Sequence, residues 1–308
     1  MIRAEDRDHG FVLISVIWAL VLLALIGAAA GTAISFRSKI RANGVQAAEV
    51  SALAHGLLRL TELQLTDRRP NGTASHLRVD GTPYECRIGN ERASIRVVDT
   101  GGLVDLNAAP ASMLTAMLIG VGLSAAESDR ITAAIEDFRD ADDEPRVGGA
   151  ETAEYQAAGR RHGPKNGLFA TVDELDQVLG ISRPLFEILR PLVTVDSRMP
   201  GIDPQVAPIE LLEAMLRGTG DSGAVGIERG RLNLPPEFTA RTNGRSFVVR
   251  ATIQRPNGAT AIWEQVIELS PRSLTGFFVR SSSQPSGKGS RSTAFEMPAM
   301  QCPGWPVG

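Results

Sequence analysis

Residues 10–36 read GFVLISVIWALVLLALIGAAAGTAISF, twenty-seven residues without one charged side chain. About twenty apolar helical residues cross a bilayer core of about 30 Å, so the stretch predicts one transmembrane helix. No other segment of the chain approaches this apolarity. A short charged leader ends at Gly10 and Phe11 opens the apolar run. Three readings of that junction stand side by side: a cut after Gly10 that leaves the helix on the protein, a signal peptide cut after the Ala28-Ala29-Ala30 stretch, and an uncut anchor. In the leader, Arg3 and Arg7 are outnumbered by Glu5, Asp6 and Asp8. Arg37, Lys39 and Arg41 follow the span, so positive charge sets no orientation.

Beyond the span the helical pattern continues. Ile40, Val45, Ala48, Ala52, Leu53, Leu57, Leu60 and Leu63 recur near the 3.6-residue period. Pro70-Asn71-Gly72 stops it. A helix from Phe11 to Leu65 would be about 80 Å long. YECRIG and ASIRVVD then read as strands. From Leu106 the texture turns helical. A helix starts after Asn107-Ala108-Ala109-Pro110 and runs through Met113, Leu114, Met117 and Leu118. A Gly120-Val121-Gly122 link leads into a second helix, Ala125–Phe138, and further helices are expected at Thr171–Leu179 and Pro184–Leu189. The block closes at Met199-Pro200-Gly201, with one more helix at Pro208–Leu216. Strands return as SFVVRATIQR and TAIWEQVIELS about the turn Pro256-Asn257-Gly258, with GFFVRS as a last strand. Residues 281–308, rich in Ser, Gly and Pro, read as a disordered tail.

The 308 residues allow about two domains, and 43% hydrophobic residues supply a core. A net charge of -3 gives no global attraction to nucleic acid, and 5% aromatics are too few for base stacking along single strands. Two cysteines, Cys86 and Cys302, exclude a Cys₄ zinc site and an iron–sulfur cluster but allow one bridge in an oxidising compartment. His9, His55, His76 and His162 have no metal spacing, and no nucleophile elbow or phosphate loop is present, so no catalytic residue is assigned.

Two motifs carry chemistry. LIGVGLSAAE, residues 118–127, has the Gly-apolar-Gly link of a helix-hairpin-helix, which in nucleic-acid binders aims N–H groups at a phosphate. Glu127, Asp129, Glu136 and Asp137 surround it against Arg130 alone, which favours a packed link without a ligand. The second is an acidic stretch. Residues 136–154 hold eight carboxylates, opposed by Arg139 and Arg146. Hard carboxylate oxygens suit Ca²⁺, and the spacing of Asp137, Asp140 and Asp142 brings three carboxylates to a helix end. A solvated acidic loop is the other reading the residues leave open.

Taken together in order, several pieces resemble the minor pseudopilin K family of bacterial type II secretion systems. They are the junction GFVLISVIW without the usual pilin Glu, whose place Ser15 takes, and VDLNAAPASML. IEDFRDADDEP, GAETAEY, KNGLFATVDEL and VDSRMPGIDP follow. The resemblance covers residues 8–280. It implies an α+β chain with a pilin-like fold: a long N-terminal transmembrane helix and an antiparallel β-sheet interrupted by a large all-α insert of helix-hairpin-helix/SAM-like type. The expected organisation is a prepilin leader 1–10, the transmembrane and long pilin helix 11–70, a β domain from 71–105 and 197–280, the insert 106–196 and the tail 281–308.

It also implies cleavage after Gly10 by a prepilin peptidase, with methylation of Phe11. It places the chain in the bacterial inner membrane as a single-pass protein with its bulk in the periplasm. There it would be a non-enzymatic tip subunit of the pseudopilus, partnered by minor pseudopilins I and J, other pseudopilins and inner membrane lipid, with no nucleic acid. The family's structural calcium maps onto Asp137, Asp140, Asp142 and Glu151, with Glu144 and Glu154 as further ligands. For Cys86 and Cys302 the sequence leaves two readings open, a bridge that pins the tail to the sheet and two unpaired thiols. The competing reading is a membrane-anchored helix-hairpin-helix DNA-binding protein.

Overall fold

The computed structural model describes residues 8–66, 77–220, 232–256, 260–284 and 300–301. The chain opens on one helix, α1 (Asp8–Thr66), and divides into two compact units, Met1–His55 and Gly56–Gly308. In the first unit the described side chains of the apolar run, 13–28, are all exposed, with Leu13, Ile17, Trp18, Leu20, Leu23 and Ile26 each more than half so. A helix apolar on every side has no face for water. Among the described residues no helix is long and apolar enough to cross a membrane.

In the second unit the last turns of α1 bury Leu57, Leu58, Thr61, Glu62 and Leu65. The helix ends at Thr66, within a residue of the expected Leu65. The six-stranded sheet has the order β7-β6-β5-β2-β1-β8. Its strands are β1 (Tyr84–Ile88), β2 (Glu91–Asp99), β5 (Ser246–Gln254), β6 (Thr260–Leu269), β7 (Phe277–Ser283) and β8 (Met300–Gln301). Period-two alternation puts Ala93, Ile95 and Val97 of β2 on one buried face. The register carries that face across the sheet, with Ile95 opposite Ala251 and Ala251 opposite Trp263. All pairings are antiparallel except β8, which runs parallel to β1 at the edge.

The sequence between β2 and β5 holds the helices α2 (Ala111–Gly120), α3 (Ala125–Arg139), α4 (Thr152–Ala157), α5 (Arg183–Leu189) and α6 (Ile209–Gly218). A short parallel pair, β3 (Val104–Asp105) with β4 (Val193–Thr194), pinches the two ends of the helical segment together. Asp105, fully buried, accepts from the N–H groups of Asn107, Ala108 and Arg198 and from the Ser197 hydroxyl, which holds the neck closed.

Two expectations need correction, and one buried cluster crosses the expected edge of the insert at residue 196. It runs from Val104 to Phe238 and includes Ile202, Leu211, Leu212, Met215 and Leu234. The reason is α6, whose apolar face packs on α2. The helix expected over Thr171–Leu179 is a 3-10 segment, Val172–Gln177, because Val178 is already extended and Gly180 has φ +94°. The tail expected over 281–308 is not all irregular: β7 runs through Ser283 and Met300–Gln301 form β8. Residues 285–299 and 302–308 lie outside the described part.

The α2–α6 contact is backbone on backbone. A Cβ on Gly120 would stand 1.8 Å from the Ala214 carbonyl oxygen, and one on Gly218 would stand 1.8 Å from that of Ala116. Gly120→Ala is therefore expected to lower stability by about 1–3 kcal/mol through overpacking. Gly56→Ala, where an added Cβ meets nothing, is expected to raise it by about 0.5–1 kcal/mol through helix propensity. Denaturant midpoints of the two variants check the pair, and equal midpoints would refute the close crossing.

Candidate metal centre

The acidic stretch lies at the C-terminal end of α3 and the N-terminal end of α4. Helix α3 begins at a capping box in which Ser124 and Glu127 exchange hydrogen bonds and ends at Arg139, with Asp140 extended after it. The loop then returns to Glu151, the residue that precedes α4. Asp137 organises that return. Its carboxylate is fully buried and accepts from the backbone N–H of Ala150 at 2.8 Å, the backbone N–H of Arg146 at 3.3 Å and the Arg146 guanidinium at 3.0 Å. Gly149 is required beside it, since a Cβ there would stand 2.0 Å from Asp137 Oδ2. Arg146 also reaches Asp140 and Glu136. Its guanidinium is held charged even more firmly than usual by Asp140 and then Asp137.

Against this frame Glu151 stands out. It is 3% exposed, and neither of its carboxylate oxygens has a hydrogen-bond partner. Burial first, and then the charges of Asp137, Asp140, Asp143 and Asp142, push its carboxyl up to about 7. One oxygen each from Asp140, Asp142 and Glu151 lie within 4.8 Å of one another. Asp140 Oδ1 and Asn166 Oδ1 are buried and equally without partners. Asn166, at φ +50°, uses its amide N–H₂ on the Asp142 carbonyl at 3.0 Å and on Asp143 at 2.7 Å. Unpaired buried carboxylates are costly. A hard cation with 6–8 oxygen ligands at about 2.3–2.6 Å fits this donor set.

The six carboxylates of the sequence reading thus take different places. Asp140, Asp142 and Glu151 converge. Asp137 spends its oxygens on the loop's own N–H groups. Glu144 is exposed and donates its backbone N–H to Asp142. Glu154 accepts the Glu151 N–H at 2.9 Å and so caps α4. Sequence reasoning missed Asn166 and the bridging role of Arg146. The Asn166-Gly167 pair, a turn signature, was the available signal. Gly10 and Phe11 fall within α1. Cys86, in β1, is disulfide-bonded, and Cys302 lies outside the described residues.

The helical hairpin α2–α3 offers a phosphate little. The N–H groups of Val121, Gly122 and Leu123 are bonded to Met117, Ile119 and Leu118, and that of Ser124 goes to Glu127. Of the acidic residues the sequence grouped around the turn, Glu127 caps α3 there, whereas Glu136 and Asp137 lie at the far end of the helix.

Residues 96–197 match the family described as "Type II secretion system (T2SS), protein K". The chain is 39% identical over 87 residues to an Escherichia coli (strain K12) protein assigned as type II secretion system protein K. That alignment covers 28% of this chain and spans about a quarter (26%) of the relative's length. A solved structure titled "The Crystal Structure of the GspK-GspI-GspJ complex from enterotoxigenic Escherichia coli Type 2 Secretion System" shares the fold. Its TM-score is 0.58 at 17% identity, over 82% of this chain and all of that one.

Proposed function

We propose that the chain is a non-enzymatic minor pseudopilin, placed at the tip of the type II secretion pseudopilus with minor pseudopilins I and J, because residues 96–197 match the protein K family of those systems. The observation that carries this reading is where the family segment lies. It starts inside β2, ends just after β4 and so coincides with most of the helical block that interrupts the sheet.

The physical roles follow from the parts. Residues 11–36 anchor the chain in the inner membrane after a cut at Gly10. The apolar side chains 13–28, exposed all round, exchange lipid for neighbouring pseudopilin helices when the subunit enters the filament. Pilins carry a Glu where Ser15 stands, and an unpaired carboxylate among apolar helices is expensive. A subunit with Ser15 needs no subunit ahead of it, which suits a cap. The helical block is bulky and would obstruct addition above it, so the chain starts or ends the filament. Calcium would be held by Asp140, Asp142 and Glu151 with Asn166 as a neutral oxygen, and would supply the positive charge that lets the buried carboxylates stay ionised. The bonded N–H groups of the α2–α3 turn argue against the DNA-binding alternative.

Protein isolated from native membranes is expected to begin at Phe11 and to weigh one methyl group more than residues 11–308. Intact-mass and N-terminal sequencing check this. A chain beginning at Met1 or at Gly31 would refute prepilin processing.

A further inference from the structure

Strand β8 has two residues, Met300 opposite Tyr84 and Gln301 opposite Glu85. Strands in folded proteins usually run about 3–10 residues, and chain ends fray unless tied down. Two ladder positions are too few to hold a strand. Yet β8 lies on β1 and is the last strand at that side of the sheet. Something further must retain it.

Cys86 is the next residue of β1 after Glu85, and it is disulfide-bonded. The described residues contain no free cysteine. The sequence has one other cysteine, Cys302, the next residue after Gln301. Glu85 and Gln301 are register partners, and in the sequence each is followed directly by a cysteine. Paired residues of adjacent parallel strands point to the same face, and the strands lie about 4.7–4.9 Å apart. That spacing falls inside the usual Cα separation of a disulfide, about 4.4–6.8 Å.

We propose that Cys86 and Cys302 form an intramolecular disulfide that fastens the C-terminal strand to the edge of β1. The bond closes a loop of more than 200 residues, for which the loss of unfolded-chain entropy is large. It also covers part of a strand edge that would otherwise present unpaired N–H and C=O groups to other chains. The opposite edge, β7, carries Arg280 and three consecutive serines, Ser281–Ser283, and is protected by polarity instead. Forming the bond removes two electrons and two protons from the two thiols. Their acceptor is the disulfide of a thiol–disulfide oxidoreductase, which leaves as a dithiol. The chain must therefore pass through an oxidising compartment. The proposal stands apart from the secretion reading, and either can fail alone.

The test uses full-length protein from membranes, alkylated without reductant and digested with trypsin. Mass spectrometry should find the peptide 79–87 joined to 292–308, and reduction should separate them. The unreduced protein should run as a monomer. On reduction the tail should become at least tenfold more sensitive to proteolysis, and the melting temperature should fall by about 5–10 °C. Both cysteines alkylated before reduction, or a bond between two copies, would overturn the pairing. A Cys302→Ser variant with unchanged proteolysis of the tail would overturn its role in holding the edge.

Discussion

Calcium at a hundredfold excess over its Kd is expected to raise the melting temperature of the metal-free chain by about 5–10 °C. A ligand that binds only the folded state contributes about 2.7 kcal/mol at that excess, and a unit of this size gains about 2–4 °C per kcal/mol. The effect concentrates on Glu151, buried at 3% exposure with both oxygens unpartnered. Its carboxyl sits near 7, above the ordinary range. The folded state therefore binds protons more tightly than the unfolded one at this group. Its contribution is full below the unfolded value of about 4.3 and is lost as pH rises through 7. The metal-free chain should thus lose stability between about pH 5 and pH 8, and calcium should cancel that loss. Because the ligands must be ionised, the calcium shift should shrink at pH 5.5. Magnesium, which demands six close oxygens at about 2.0–2.1 Å, should do less. Glu151→Gln should abolish the calcium shift and raise the metal-free melting temperature, whereas Glu144→Gln, at an exposed position, should leave the shift intact. No shift with millimolar calcium on chelator-washed protein removes the metal, and a full shift in Glu151→Gln removes this site.

The site was legible in part because its signal is charge density, which sequence displays directly. Sequence does not display which carboxylate finds a backbone donor. Asp137, Asp140 and Asp142 look alike on paper, but Ala150 and Arg146 turn their N–H groups toward Asp137 and so withdraw it from the cluster. Asn166, far along the chain, is brought back by the loop, a contact that spacing cannot foresee. The fold shows the same division. Alternation and a Pro-Asn-Gly turn located the β5–β6 hairpin, and 3.6-residue periodicity located the end of α1. Helix α4 has six residues with only Tyr155 buried, too short for any period to register. The allegiance of α6 to the helical core depends on two glycines, Gly120 and Gly218, that allow the helix backbones to meet. Nothing local in either glycine reveals its partner.

Glu264→Gln is expected to destabilise the chain by about 3–5 kcal/mol, because it leaves two arginines without their shared counter-ion. Arg190, at the end of α5, reaches Glu264 on β6 with two nitrogens, at 2.9 and 3.3 Å. Arg250 of β5 reaches the same carboxylate at 2.8 Å. The side chains of Arg190 and Glu264 are 13% and 14% exposed, so water screens them little. Burial pushes the Glu264 carboxyl up, but Arg250 and Arg190 outweigh it and hold it below the usual range. A lowered folded value gives stability that is present above the unfolded value of about 4.3 and is lost as pH falls through the folded one. Wild type should therefore lose this contribution below about pH 4, while Glu264→Gln should show a flatter profile there. The contact joins the helical block to the sheet, so its loss should also quicken amide exchange at the Val104–Val193 neck, a readout that a merely local defect in β6 would not move. Asp173 touches Arg190 from a site 63% exposed, and Asp173→Asn should cost less than about 1 kcal/mol. Equal melting temperatures for Glu264→Gln and wild type would mean that Glu264 does not hold the helical block to the sheet.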